Sequence, residues 1–274
     1  ILVTNDDGIE SPGLLALKQA LAEVGEVSVI APDRNWSAAG HSKTMHKPLR
    51  INKVHLADGD HAYATDGAPS DCVAIAILGY LQKRVDLVVS GVNKGSNMGD
   101  DITYSGTVAA AMEGIIWGVP SIAVSLDGYC PEEPEANNFA LAARVAAQVA
   151  ARVLANGWPP DTLLNINVPN VDESKLAGLE ITRLGKRGYQ DELIVRTDPF
   201  GRLYYWIGGG PPTLVNEPGT DIRAIADGKV SITPIHLDLT HHRMIPLLQK
   251  WAEEWKRDGL WQATSSALPD AGAP

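Results

Sequence analysis

The chain opens on a short apolar, β-prone run, Ile1-Leu2-Val3-Thr4, and returns to another at Val27-Ser28-Val29-Ile30, with a punctuated helix between them. Ser11 stands as N-cap and Pro12 at the first helical position; Leu14, Leu17, Leu21 and Val24 share one face, and Gly25 ends the segment. A helix joining two strands predicts a parallel pair, because antiparallel neighbours need only a hairpin. The pattern then recurs. Ser70-Asp71 opens an apolar helix through Ile77 and Leu81, and the strand Val85 to Ser90 follows. Another helix begins near Ser105-Gly106-Thr107 and runs to Gly118, ahead of the strand Ser121 to Ser125. This alternation predicts an α/β fold: a Rossmann-like open, mainly parallel sheet with helices on both faces.

Beyond an acidic, Pro-rich loop at Pro131 to Pro134, an Ala-rich helix is expected from about Asn138 to Leu154 and a strand from Leu163 to Val168. Leu193 to Trp206 reads as a β-hairpin turning at Pro199-Phe200-Gly201, and Lys229 to Pro234 as another strand. Ile245, Leu248, Trp251 or Ala252, and Trp255 recur at helical spacing. One domain is therefore expected over residues 1–263: a core to about 180, a β-rich extension over about 185–230, and a C-terminal strand and helix over about 229–258. Residues 264–274, rich in Ser, Ala and Pro, are expected to be a disordered tail.

The 274 residues, 45% hydrophobic and 20% charged, suit an ordinary globular chain. A net charge of −10 argues against a stable nucleic-acid partner, which would need concentrated Lys and Arg to displace counterions. No apolar stretch approaches membrane-span length and no signal-peptide pattern opens the chain, so a cytoplasmic protein with no membrane partner is expected, a few residues being missing ahead of Ile1. Cys72 and Cys130 offer neither a disulfide framework nor a CxxC knuckle, and no HExxH spacing occurs among the seven histidines.

In an open parallel sheet, ligands gather beyond the carboxyl ends of the strands. Three loops there are unusually polar: Asn5-Asp6-Asp7-Gly8, Asp33-Arg34-Asn35-Trp36-Ser37, and Gly91 to Asn97. Adjacent carboxylates at the end of a buried strand repel one another unless a cation or hydrogen-bond donors neutralise them. Asp6, Asp7, Ser37 and Asn93 offer carboxylate, hydroxyl and amide oxygen, a hard set suited to Mg²⁺, Mn²⁺ or Ca²⁺. Asp6 or Asp7 as a mere helix cap is disfavoured because Ser11 and Pro12 already fill that role, whereas Asp100 and Asp101 are assigned to the dipole of the following helix. The third loop runs on to Ser105, Gly106 and Thr107, where free helix N–H groups, two hydroxyls and the Asn97 amide are expected to hold phosphate oxygens; Ser105 or Thr107 could also cap the helix. Neither GxxxxGK[ST] nor GxGxxG is present, so a metal facing a small-anion pocket remains, the minimum equipment for cleaving a phosphate monoester.

Asn5-Asp6-Asp7-Gly8, Ala31-Pro32-Asp33-Arg34-Asn35 with Ser37, Ser90-Gly91-Val92-Asn93 with Gly95 and Asn97, and Tyr104-Ser105-Gly106-Thr107-Val108-Ala109-Ala110 together resemble the successive signatures of the SurE family of nucleotidases. The likeness continues through Pro218-Gly219-Thr220-Asp221 and Val230 to Pro234. It implies a divalent-metal-dependent phosphomonoesterase acting on nucleoside 5'- and 3'-monophosphates, with possible exopolyphosphatase activity, on a Rossmann-like core. One Mg²⁺ or Mn²⁺ per subunit would be held by Asp6, Asp7, Ser37 and Asn93, with Asn97, Ser105, Gly106 and Thr107 on the phosphate side. Asp6, Asp7, Asn97 and Ser105 would carry the chemistry, through a metal-activated water or, in the rival mechanism, an aspartate nucleophile. The likeness also implies a homodimer or homotetramer built through the β extension and C-terminal elements. One departure stands out: many relatives have Gly-Thr-Pro where this chain has Gly67-Ala68-Pro69, which removes a hydroxyl that could bear on base or sugar contacts.

Overall fold

The strand–helix alternation is realised in the computed structural model, which describes residues 1–159, 161–188, 191–209, 213–214 and 216–259. In chain order the elements are β1 (Leu2–Thr4), α1 (Pro12–Ala22), β2 (Ser28–Pro32), β3 (Ile51–His55), β4 (His61–Thr65), α2 (Pro69–Ile75), β5 (Val88–Lys94), α3 (Gly106–Ile116), β6 (Ser121–Asp127), α4 (Phe139–Asn156), β7 (Thr162–Pro169), β8 (Leu179–Ile181), β9 (Arg187–Gly188), β10 (Asp191–Thr197), β11 (Leu203–Gly209), β12 (Thr213–Leu214), α5 (Asp221–Ala226), β13 (Val230–His236) and α6 (Ile245–Arg257). Among the described residues nine strands form the main sheet, in the order β3-β4-β2-β1-β5-β6-β7-β13-β8. From β4 to β7 every pairing is parallel; β3 and β13 enter antiparallel to β4 and β7. The fold is therefore α/β with a mostly parallel sheet.

Neighbouring strand residues feed opposite faces, as a two-residue side-chain period requires. Val3, Val29, Val89, Val124 and Ile166 pack with Leu14, Leu17 and Leu21 of α1 and Ala142, Ala146 and Ala150 of α4. Leu2, Ile30 and Val88 instead meet Cys72 and Val73 of α2 and Ala110 of α3. Each fully buried Leu stabilises the fold by about 1.5–3 kcal/mol, which makes the sheet a rigid base for the loops at its edge.

Several local expectations are corrected. Ser11 occupies the N-cap position of α1 but its side chain makes no capping bond. The helix expected from Ser70 to Leu81 is α helical only to Ile75; Ala76 to Tyr80 form a wider π turn broken at Gly79, whose φ is +121°. The strand placed at Val85 to Ser90 runs instead from Val88 to Lys94, carried on by a register shift against β6 between Ser90 and Asn93. Asn93 is thus a strand residue, not a loop residue. The β3–β4 hairpin leaves no clear sequence pattern because β3 is an edge strand with much of its surface exposed, and α5 is too short to show a helical period.

The expected hairpin is β10–β11, paired from Asp191↔Gly209 to Thr197↔Leu203. The chain divides into two compact units, Ile1–Leu237 and Asp238–Pro274. In the second, α6 places the Trp251 and Trp255 rings one helical turn apart, with centroids 6.3 Å from each other. The tail from Thr264 lies outside the described residues. Among the described residues no helix is long and apolar enough to cross a membrane.

Candidate active site

The loop between β1 and α1 is stitched to itself. Asn5 Nδ2 donates to the Gly8 carbonyl at 2.9 Å, the Gly8 N–H returns a bond to Asn5 Oδ1 at 3.2 Å, and the Ser11 N–H donates to the Gly8 carbonyl at 3.1 Å. Gly8 has φ +99° and lies against the Arg34 backbone, so a side chain there would meet backbone strain and a tight contact, 3.1 Å from the Arg34 carbonyl carbon. This turn drives the Asp6 side chain into the protein, where it is 3% exposed.

Asp6 is received by the start of α3. Thr107 Oγ1 donates to Asp6 Oδ1, and Gly106 approaches so closely that a Cβ on it would stand 2.7 Å from Asp6 Cβ. Burial pushes the Asp6 carboxyl above its ordinary pKa, opposed by the Thr107 hydroxyl and the backbone N–H groups of this helix start. Asp7 is pushed up to about 6, first by burial and then by the charge of Asp6, against Lys94, whose N–H donates to Asp7 Oδ2 at 3.2 Å. Two adjacent carboxylates are thus held where ionising both is unfavourable without a cation.

A cavity of about 710 Å³ opens here, lined by Asp6, Ser37, Ala38, Asn93, Lys94, Ser96, Asn97, Asp101, Tyr104, Ser105 and Ile207. The structure thereby brings Asp6, Ser37, Asn93, Asn97 and Ser105 to one space. Asp7 stands beside it, while Gly106 and Thr107 are buried beneath and face Asp6. Asn93 Nδ2 donates to the Gly95 carbonyl at 2.8 Å, which leaves its amide oxygen as the acceptor for another partner. Ser105 accepts from the Val108 N–H at 3.1 Å and so caps α3, while its hydroxyl proton remains available to donate. Among the described residues no cluster of three or more His, Cys, Asp or Glu side chains could hold a metal ion, so a cation here would draw on two carboxylates and neutral oxygens. That donor set fits a hard divalent cation.

Several contributors to the site belong to no local motif. Asn97 is anchored by β7: its N–H donates to Asn167 Oδ1 at 2.8 Å, and its carbonyl accepts from Asn165 Nδ2 and Asn167 Nδ2 at 2.8 and 2.9 Å. Asn97 Nδ2 donates to Ser125 Oγ at 2.8 Å, leaving one amide proton for a ligand. The visible signal is two amides alternating with apolar residues in a strand that is buried from Leu163 to Pro169. Asp221, also buried, accepts from the Gly99 and Gly185 N–H groups at 2.8 and 2.7 Å, tying the loop after β5 to the base of the extension. Asp101, which charge logic gave to the helix dipole, lines the cavity, as do Lys94, Tyr104 and, from the hairpin, Ile207. Ala68 is buried at the start of α2, where its N–H donates to Asp71 Oδ2 at 2.8 Å, and it does not line the cavity.

Comparison with known proteins agrees with the early motifs. The family model for survival protein SurE matches residues 1–191. A 5'-nucleotidase SurE of Chloroflexus aggregans is 53% identical over 261 residues, which cover 93% of this chain and 99% of that protein. Another protein of that name, from Herpetosiphon aurantiacus, is 54% identical over 88% of this chain and 93% of its own length. The crystal structure of the SurE protein from Aquifex aeolicus superposes with a TM-score of 0.79 at 42% identity, covering 92% of this chain and 98% of that one. With the family model spanning most of the sequence and relatives matched nearly end to end, this chain belongs to the SurE family.

Proposed function

We propose that this chain is a phosphomonoesterase that hydrolyses nucleoside 5'- and 3'-monophosphates to nucleoside and phosphate, that it depends on one Mg²⁺ or Mn²⁺ per subunit, and that it acts on polyphosphate ends as a lesser activity. The observation that carries the reading is the buried Asp6 with the half-buried Asp7 next to it, beside a cavity that also presents Ser37, Asn93, Asn97 and Ser105. Support comes as well from relatives called 5'-nucleotidase that match 88% to 93% of the chain.

Asp6, Asp7, Ser37 and Asn93 would hold the cation. When bound, it supplies Lewis-acid activation of the phosphoryl group and makes a water molecule a stronger nucleophile. The Ser105 hydroxyl, the remaining Asn97 amide proton and the Lys94 ammonium donate to phosphoryl oxygens, and their fixed placement offsets the charge that grows there during transfer. Thr107 and the start of α3 hold Asp6 in one orientation. Water is favoured over an aspartyl-phosphate route because Asp6 and Asp7 would both be engaged as ligands of the cation. A homodimer or tetramer accords with the exposed apolar hairpin, where Leu193, Trp206 and Ile207 stand in the open.

The test is phosphate release from 5'- and 3'-nucleoside monophosphates, polyphosphate and aryl phosphates, with Mg²⁺ or Mn²⁺ and with chelator. Metal-dependent release that favours nucleotides is expected. If metal-loaded protein releases phosphate from none of them, the hydrolase reading fails and a non-catalytic nucleotide sensor replaces it.

A further inference from the structure

Ser37 lies on the least regular part of the site, the stretch 33–50 between β2 and β3, and it is exposed. Something must hold it. On its near side the Trp36 N–H donates to the Asp6 carbonyl at 2.7 Å, and the Gly40 N–H donates to the Tyr104 carbonyl at 2.9 Å. On its far side the stretch runs to a carboxylate that the reaction does not use. Glu113 projects from α3 with its side chain 3% exposed, and it collects three donors. His41 Nε2 lies 3.0 Å from Oε2, Lys43 Nζ donates to Oε1 at 2.8 Å, and Trp117 Nε1 donates to Oε1 at 2.8 Å. Lys43 also lies over the Trp117 ring, 5.8 Å from its centroid. One residue further, the Thr44 N–H donates to both carboxylate oxygens of Asp71, on α2.

A buried carboxylate is an expensive way to fasten a surface loop if stability were all that was required, because apolar packing of the same volume would serve as well. It does specify one position for the loop. The helix that carries Glu113 also presents Thr107 and Gly106 to Asp6 at its other end. A loop clamped to α3 is therefore referenced to the same rigid body as the carboxylate that would share the cation with Ser37.

We propose that Glu113 is a positioning residue for the cation site: by gripping His41 and Lys43 it fixes the loop that brings Ser37 to Asp6. This rests on the reading of Ser37 as a cation ligand given above, and the experiment separates the two. Mn²⁺ alone is titrated into the full chain and followed by the electron paramagnetic resonance of the free ion, for wild type, Glu113→Gln, Lys43→Met, Ser37→Ala and the two doubles with Ser37→Ala. Partners that orient metal ligands typically govern affinity by about 10–100-fold, and a Kd raised by about tenfold is expected for Glu113→Gln and for Lys43→Met. In the Ser37→Ala background neither change should raise it further, since both act through the same hydroxyl. A merely structural role lowers the melting temperature without this coupling.

Unchanged Kd in Glu113→Gln and Lys43→Met, or a full additional effect on top of Ser37→Ala, overturns the proposal while Ser37 stands as a ligand. If Ser37→Ala itself binds Mn²⁺ as wild type does, the ligand reading falls and takes this inference with it. Should Glu113→Gln fail to fold, Lys43→Met carries the same test from the loop side, where nothing buried in α3 is altered.

Discussion

The loops after β1 and β2 deliver residues to one cavity in opposite ways. The first, from Asn5 to Ser11, is short, closed on itself by Asn5 and Gly8, and sends Asp6 inward to the start of α3. The second, 33–50, has no strand or helix of its own and is held from outside by Asp6, Tyr104, Glu113 and Asp71. In the first the backbone turn is fixed by the same few residues that carry the ligands, and α3 and β5 meet the carboxylates directly. In the second they are separated by several residues and by different elements. Substitutions should therefore be large and local on the first loop, and graded and remote on the second.

The largest effect is expected at Asp6. Asp6→Asn keeps the shape but removes one of the two adjacent carboxylate charges, and because it alters a ligand directly the loss should exceed that of outer partners, about 100-fold or more in kcat/KM. Phosphate release from a nucleoside monophosphate at saturating Mn²⁺ reads it. Activity within a few-fold of wild type would break the comparison at its strong end.

Next comes the amide ladder that ties the loop after β5 to β7. Asn167→Leu leaves the Asn97 N–H buried without its acceptor, a cost of about 1–3 kcal/mol. Because Asn97 is a phosphate-side donor in the proposed reading, the variant should raise KM for nucleotides more than it changes Mn²⁺ affinity. An equal loss of both would mean that β7 supports the whole site and not the phosphate side alone.

The two loops also differ in how far they could be read in advance. The first was legible because its motif is contiguous: Asp6 and Asp7 follow an apolar run directly, and adjacent buried carboxylates are chemically conspicuous. The parallel sheet was legible for a similar reason, since its strands are continuous apolar runs separated by periodic helices. What supports Ser37 was not. Glu113 is one acid in an Ala-rich helix, and nothing in its local sequence reveals that His41 and Lys43, about seventy positions earlier, converge on it. Asn165 and Asn167 were hidden in the same manner, as polar letters inside a strand whose partners lie on another loop. Ser11 is legible only in part: it stands at the N-cap of α1 and its carbonyl accepts from the Leu15 N–H, but its buried hydroxyl makes no capping bond.

The smallest expected effect sharpens the comparison most, because it addresses the second loop alone. The His41, Lys43 and Trp117 donors outweigh burial, which by itself would raise the Glu113 pKa, and hold it down at about 2. A carboxyl lowered on folding stabilises the protein when ionised. Its contribution is complete above the unfolded value near 4.5 and is lost as pH falls from there through about 2. The amount is on the order of 2 kcal/mol and should appear as a falling urea midpoint across that window, with a shallower fall in Glu113→Gln. Limited digestion by pepsin over the same range should then cut within 33–50 before it cuts the turn from Asn5 to Ser11, because only the former loses its outer anchor on protonation. Equal slopes in wild type and variant, together with cleavage that starts elsewhere, would show that the long loop is held by Asp71 and its backbone bonds without need of the Glu113 charge.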